Sequence, residues 1–225
     1  MIPLPPVTLF GLTLWGTFAG LDLVSVLQGL FSRPLIAGAG AGLLLNDLEA
    51  GLRVGLLLEL FALDVLPVGA ARYPDYGPGV VAAVVLVSGT PWSQSLGLAT
   101  LFALVWATLG GWSLQWLRKA NGLALARNAA GLAAGNAGTI ARLQHAGLFG
   151  DLVRSLLLTT VGLACAMLLR SHLVLTARFE PVTAVAIGAG VAAAAGGAIR
   201  SAGRGARLRW LVAGVAVGLL MAVLR

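Results

Sequence analysis

The chain has 225 residues, 59% of them hydrophobic and 10% charged, with mean hydropathy +0.94 and formal charge +7. A soluble domain carries about a quarter charged residues, so this composition excludes one and reads as an integral membrane protein. Apolar stretches approach the ~20 residues a helix needs to cross ~30 Å of hydrocarbon, and the alternation of a membrane β-barrel is absent.

The expected fold class is therefore all-α: one polytopic membrane domain over residues 1–225. The opening "MIPLPPVTLFGLTLWGTFAG" has no basic region ahead of its apolar part and no cleavage site, so it reads as a retained first span. The next segment, "RPLIAGAGAGLLLNDLEAGLRVGLLLELFALDVL", has apolar runs too short to cross individually. Broken backbone at membrane depth survives only when buried in protein or lining a wet cavity. Residues 1–93 are thus expected to hold the first span and a broken, re-entrant substrate-binding region, an arrangement used by many secondary transporters.

Residues 94–117 form the clearest single span, with Trp112 and Trp116 as interfacial anchors and "SGTPWSQS" before it on the outer side. Residues 118–151 are neither apolar enough to span nor polar enough to be disordered, and read as a cytoplasmic amphipathic connector broken near Gly135 and Asn136. Arg118, Lys119, Arg127, Arg142 and Arg154 lie in or beside it; Arg200, Arg204, Arg207 and Arg209 form a second basic cluster. The positive-inside rule places both clusters in the cytoplasm. Residues 152–225 supply the C-terminal spans, about 152–169 and 182–198, followed by "WLVAGVAVGLLMAVL", short for a perpendicular crossing. The glycines, 31 in all, let such helices approach closely. The excess of 15 basic over 8 acidic residues has no soluble domain to direct it to nucleic acid, and reads as a topology signal and contact with anionic membrane lipid.

The acids are unevenly placed: Asp22, Asp47, Glu49, Glu59, Asp64 and Asp75 all precede residue 76. A carboxylate at the bilayer centre costs about 2.5–3.5 kcal/mol on insertion scales, so it faces a partner or a wet cavity. Glu59, between "GLLL" and "LFAL", is the sharpest case; its alternative is an ion pair with Arg53 or Arg33. Asp47, Glu49 and Arg53 read first as the decoration of a helix end, in which Glu49 and Arg53 have the favourable i,i+4 order. Metal ligation has little support, because there are two His, Cys165 is distant in an apolar run, and the acids lack ligand spacing; no metal or cofactor is expected. A proton relay is possible. A sugar suits the chemistry better, since carboxylates and amides accept from hydroxyls while aromatic faces cover the ring. Glu59, Asp75, Gln28, Tyr73 and Asp47 are the candidate substrate-binding residues.

The stretch "GLDLVSVLQGLFSRPLIAGAGAGLLLNDLEAGLRVGLLLELFALDVLPVGAARYPD" strongly resembles the IIC membrane component of the mannose, fructose and sorbose family of the phosphoenolpyruvate-dependent phosphotransferase system. The Gln, "SRPL", "LEL" and "YPD" carry the likeness, and "NAAGLAAGNAGTIARLQHAGLFGDLVR" resembles the same family's connector. Asn46 stands where the family usually has Gly; Asn tolerates the left-handed conformation better than other non-Gly residues. The resemblance implies a hetero-oligomer with a IID membrane subunit and soluble IIA and IIB phosphocarriers, binding and translocating a hexose while IIB phosphorylates it. The phosphoryl-transfer histidine is then expected on another subunit, in keeping with His145 and His172, which have no companion acid or nucleophile in sequence. A stand-alone ion or small-molecule transporter and a non-transporting sensory or interaction subunit are the alternatives.

Overall fold

The computed structural model of the chain describes residues 4–63, 73–173, 175–202, 209, 212–214 and 216. Asp64, Arg204, Arg207 and most of the expected last span, 210–224, lie outside them. The described residues are helical and contain no strand.

Helix α1 (Pro6–Asp22) begins with Pro at its first position, where the missing N–H is no loss, and runs 17 residues. Trp15 seals it to the next helix, its indole N–H donating to the Ala37 carbonyl at 2.9 Å over the bare face of Gly40. Helices α2 (Pro34–Leu44) and α3 (Leu48–Ala62) form a hairpin of 11 and 15 residues, each under the length of a full crossing. Its seam is made by glycines four apart on both helices, Gly38 and Gly42 against Gly51 and Gly55. A Cβ on Gly38 would stand 2.4 Å from the Gly51 carbonyl, so the backbones touch and no larger residue fits.

The hairpin turn is three residues long. Asn46 adopts φ +54°, the Asn46 N–H donates to the Leu43 carbonyl at 3.2 Å and the Asp47 N–H to the Gly42 carbonyl at 2.8 Å, the 5→2 and 6→1 pair that closes a helix C-terminus. Asp47 then caps α3, accepting from the Ala50 N–H at 3.1 Å. The same carboxylate accepts from the Ser88 hydroxyl at 3.0 Å and the Gly89 N–H at 2.7 Å, tying the hairpin tip to the end of α4.

Helix α4 (Tyr76–Val87) has 12 residues, all buried, and is packed by α1, α2, α3, α5 (Trp92–Arg127) and α7 (Ala137–His172). At 1.5 Å per residue it is about 18 Å long, roughly half a bilayer. It is a short, uncharged helix with protein on every side.

Helices α5 and α7 have 36 residues each, about 54 Å. They, with residues 177–201, are long and apolar enough to cross. Residues 118–151 are built from the continuation of α5, the short α6 (Ala129–Ala133) and the start of α7, with the break at Gly135 (φ +65°) and an Asn136 side chain capping α7 through the Thr139 N–H. Nothing between Trp116 and Arg127 interrupts the helix, so α5 simply runs on. Leu101, Val105, Leu109, Trp112 and Trp116 form an exposed apolar stripe along it. Helix α8 (Glu180–Ala202) packs on α3 and α5, where Gly97 meets the Val182–Thr183 backbone.

Candidate functional site

A cavity of about 410 Å³ opens where the short helices begin and end. It is lined by Leu23, Val24, Gln28, Gly29, Ser32 and Arg33 from the α1–α2 connection, by Pro34 at the start of α2, by Ala62, Tyr73, Pro74 and Tyr76, and by Arg118 of α5. That volume suits a small polar molecule. The tyrosines give it aromatic faces, and amide, hydroxyl and guanidinium groups give it hydrogen-bonding capacity.

The α1–α2 connection is held in an uncommon shape. Leu27 and Gln28 both have φ +59° and Gly29 follows at +114°. Each non-Gly residue in that region costs about 1–3 kcal/mol, and such conformations collect at binding sites. Asp22, fully buried at the end of α1, accepts from the Gly29 N–H at 3.1 Å and the Ser32 N–H at 2.8 Å. The Gln28 side chain donates back to the Val24 carbonyl at 3.1 Å, and the Tyr73 hydroxyl reaches the Leu23 carbonyl at 3.4 Å.

Two ion-pair systems flank the cavity. Glu59, with a side chain 14% exposed, pairs with Arg33 and accepts from the Leu35 N–H at 3.1 Å. It thereby places a negative charge at the N-terminus of α2, where the helix dipole favours one. On the other flank, Arg154 donates to Asp75 and to Asp151, each at 2.8 Å, and to the Ser113 and Ser155 hydroxyls at 3.3 and 3.2 Å. Ser25 donates to the second Asp151 oxygen. This network joins α4, α5, α7 and the α1–α2 connection with all three charged side chains buried or nearly so.

Of the five residues expected from sequence, Gln28 and Tyr73 line the cavity. Glu59 stands behind Arg33, the ion pair that was the alternative for it, and Asp75 stands behind Pro74 in the Arg154 network. Asp47 lies at the opposite end of the hairpin, beside a small pocket of about 70 Å³ that also holds Arg53 over the Trp92 ring. Glu49 and Arg53 form the expected i,i+4 pair. Sequence reasoning missed Ser32 and Tyr76 in the cavity wall and the bonds Asp22 accepts from Gly29 and Ser32, and treated Arg118 and Arg154 only as topology signals. The i,i+3 spacing of Asp151 and Arg154 at the start of an apolar run was the available hint that Arg154 is paired. A second groove of about 540 Å³, mostly apolar, lies between the ends of α5 and α7 and shares Val24 and Arg118 with the first. Among the described residues no three His, Cys, Asp or Glu side chains gather as a metal set. His145 and His172 are exposed near opposite ends of α7.

Residues 7–201 match the family described as the PTS system sorbose-specific IIC component. The sorbose-specific EIIC component of Klebsiella pneumoniae is 39% identical over 79 residues, 35% of this chain and 29% of that protein. The fructose permease IIC component of Bacillus subtilis is 39% identical over 83 residues, 36% of this chain and 31% of that one. These alignments thus span under a third of either relative. A putative N-acetylgalactosamine permease IIC component of Escherichia coli K12 is 31% identical over 97 residues, 42% of this chain and 72% of its own length. Among solved structures, one described as a membrane protein shares the fold with a TM-score of 0.77 at 21% identity, covering 99% of this chain and 96% of that one. The mannose transporter ManYZ, solved with microcin E492, has a chain sharing the fold at 0.63 and 22% identity, with the same coverage.

Proposed function

The chain belongs to the family of sorbose-specific IIC components of the phosphotransferase system, and on that premise we propose that it is the sugar-binding and translocating subunit of a mannose, fructose or sorbose-type permease. It imports a hexose across the bacterial cytoplasmic membrane in a hetero-oligomer with a IID subunit, while soluble IIA and IIB carry the phosphoryl group. The observation that carries this reading is the cavity of about 410 Å³, walled by two tyrosines and a set of neutral and cationic hydrogen-bonding groups within broken helices. Aromatic faces take the apolar side of a pyranose or furanose ring; Gln28, Ser32 and Arg33 take its hydroxyls.

In this arrangement Gln28 and Tyr73 touch sugar, Glu59 acts by fixing Arg33, and Asp75 acts by anchoring Pro74 and Tyr76 through Arg154. Asp47 works at the far end, where it closes the hairpin against Gly89. The α2–α3 hairpin is re-entrant, its tip toward the outer face. Arg118, Lys119, Arg127 and Arg142 on the outlying ends of α5 and α7 support a cytoplasmic location for those ends, and so for the cavity side of the hairpin.

The test is equilibrium binding of mannose, fructose and sorbose to the complex purified with its co-expressed IID subunit, followed by uptake into vesicles with and without phosphorylated IIB. Binding of one hexose with donor-dependent uptake is expected. Absence of hexose binding, or uptake that needs no phosphoryl donor, overturns the proposal, the second outcome in favour of a stand-alone transporter.

A further inference from the structure

Asp22 is a fully buried carboxylate at the last residue of α1, where the negative end of the helix dipole disfavours it. It does not cap its own helix and forms no salt bridge among those of the described residues. One oxygen takes both of its described bonds, from the N–H groups of Gly29 and Ser32, while the other, equally buried, has no hydrogen-bond partner. Those two N–H groups come from the segment whose Leu27, Gln28 and Gly29 have positive φ and from the turn just after it. Gly29 has nothing within 4 Å of where a Cβ would stand, so no packed neighbour requires a glycine there; its φ does.

We infer that Asp22 is the positioning residue of the sugar site: its charge, drawn to two backbone donors, holds the left-handed bend that puts Gln28 into the cavity wall. A neutral acceptor could make the same two bonds only without charge assistance, and such bonds are about half as strong. This rests on the cavity being the hexose site. Asp22 itself, inaccessible, does not touch sugar.

The experiment is a double-mutant cycle on the purified complex, read by equilibrium binding of whichever of mannose, fructose and sorbose the wild type binds. Asp22→Asn, equal in size, is expected to weaken binding about tenfold, and Gln28→Ala to weaken it comparably. In the Gln28→Ala background, Asp22→Asn is expected to cost less than about threefold, because the residue it positions is gone. Gly29→Ala, which meets no atom but disfavours φ +114°, is the second variant and should show the same loss and the same coupling, so the inference stays open to refutation if Asp22→Asn fails to assemble. Loss in Gln28→Ala with an undiminished, additive effect of Asp22→Asn, or no effect of Asp22→Asn in assembled complex, overturns the positioning role alone. Unchanged binding in Gln28→Ala overturns the assignment of the wall as well.

Discussion

Arg154→Met is the most severe single change the structure anticipates. The guanidinium is 8% exposed and lies between Asp75, 0% exposed, and Asp151, 1% exposed, at 2.8 Å from each. Met conserves the apolar stem but leaves two buried carboxylates with their counter-charge gone. Removing one partner of a buried ion pair costs about 3–5 kcal/mol, mostly as the stranded charge. For a chain of this length about 1 kcal/mol shifts the melting temperature by about 2–4 °C, so the expected fall is about 6–20 °C. Thermal melting of the detergent-solubilised protein, followed by size-exclusion chromatography, measures it. Adding Asp75→Leu and Asp151→Leu to Arg154→Met removes the stranded charges and should recover at least half of the loss, since an apolar replacement of a whole buried pair is often neutral. A single variant melting within about 2 °C of wild type, or a triple variant no better than the single, would refute the view that this network bears its charges at a cost that Arg154 offsets.

Gly51→Ala should lower the melting temperature sharply, because its Cβ would stand 2.3 Å from the Gly38 carbonyl, whereas Gly188→Ala on α8 meets nothing within 4 Å and should be neutral; equal melting of the two would sink the close-packed hairpin. Asp47→Ala removes the cap of α3, at a cost of about 0.5–2 kcal/mol, and frees the hairpin tip, which cysteine accessibility at Ser88 would report. Burial acts to raise the Asp47 pKa, but the Gly89 and Ala50 N–H groups, Ser88 and Arg170 together hold it below the ordinary value. A depressed folded pKa means that its stabilisation is present above the unfolded pKa and is lost as pH falls through the folded one. Acidification below about pH 4 should therefore loosen the tip in wild type and change it little in Asp47→Asn. Glu59→Gln and Arg33→Gln should each weaken hexose binding about tenfold or more, from the loss of a charge-assisted bond of about 1.5–3 kcal/mol; unchanged binding in either, with the complex assembled, would show the pair to be structural only.

The amino-acid sequence by itself determined the solvent and the periodicity. So apolar a chain can satisfy its backbone in lipid only through helices or a closed barrel, and the apolar runs at 94–117 and 152–169 had to be helices; that α5 and α7 extend well beyond them was not determined. Local chemistry was legible for the same reason: Asn46 can hold a left-handed turn and Asp47 can cap the helix after it without help from distant residues. The glycines at 38, 42, 51 and 55 were visible as packing glycines, but not as partners of one another.

Only the tertiary structure decided which acid serves which purpose. Glu59 lies in an apolar run and Asp75 in "YPD"; the sequence left Arg33 and Arg53 both open as partners of Glu59, and gave no sign that Arg154, 79 residues away, claims Asp75. Asp22 was one acid among six until Gly29 and Ser32 folded back onto it. A buried charge takes its role from its surroundings in three dimensions, because the energy of a carboxylate in a low-dielectric site is set by the few donors within about 3 Å. Those donors come from helices that meet only once the short, broken segments have packed.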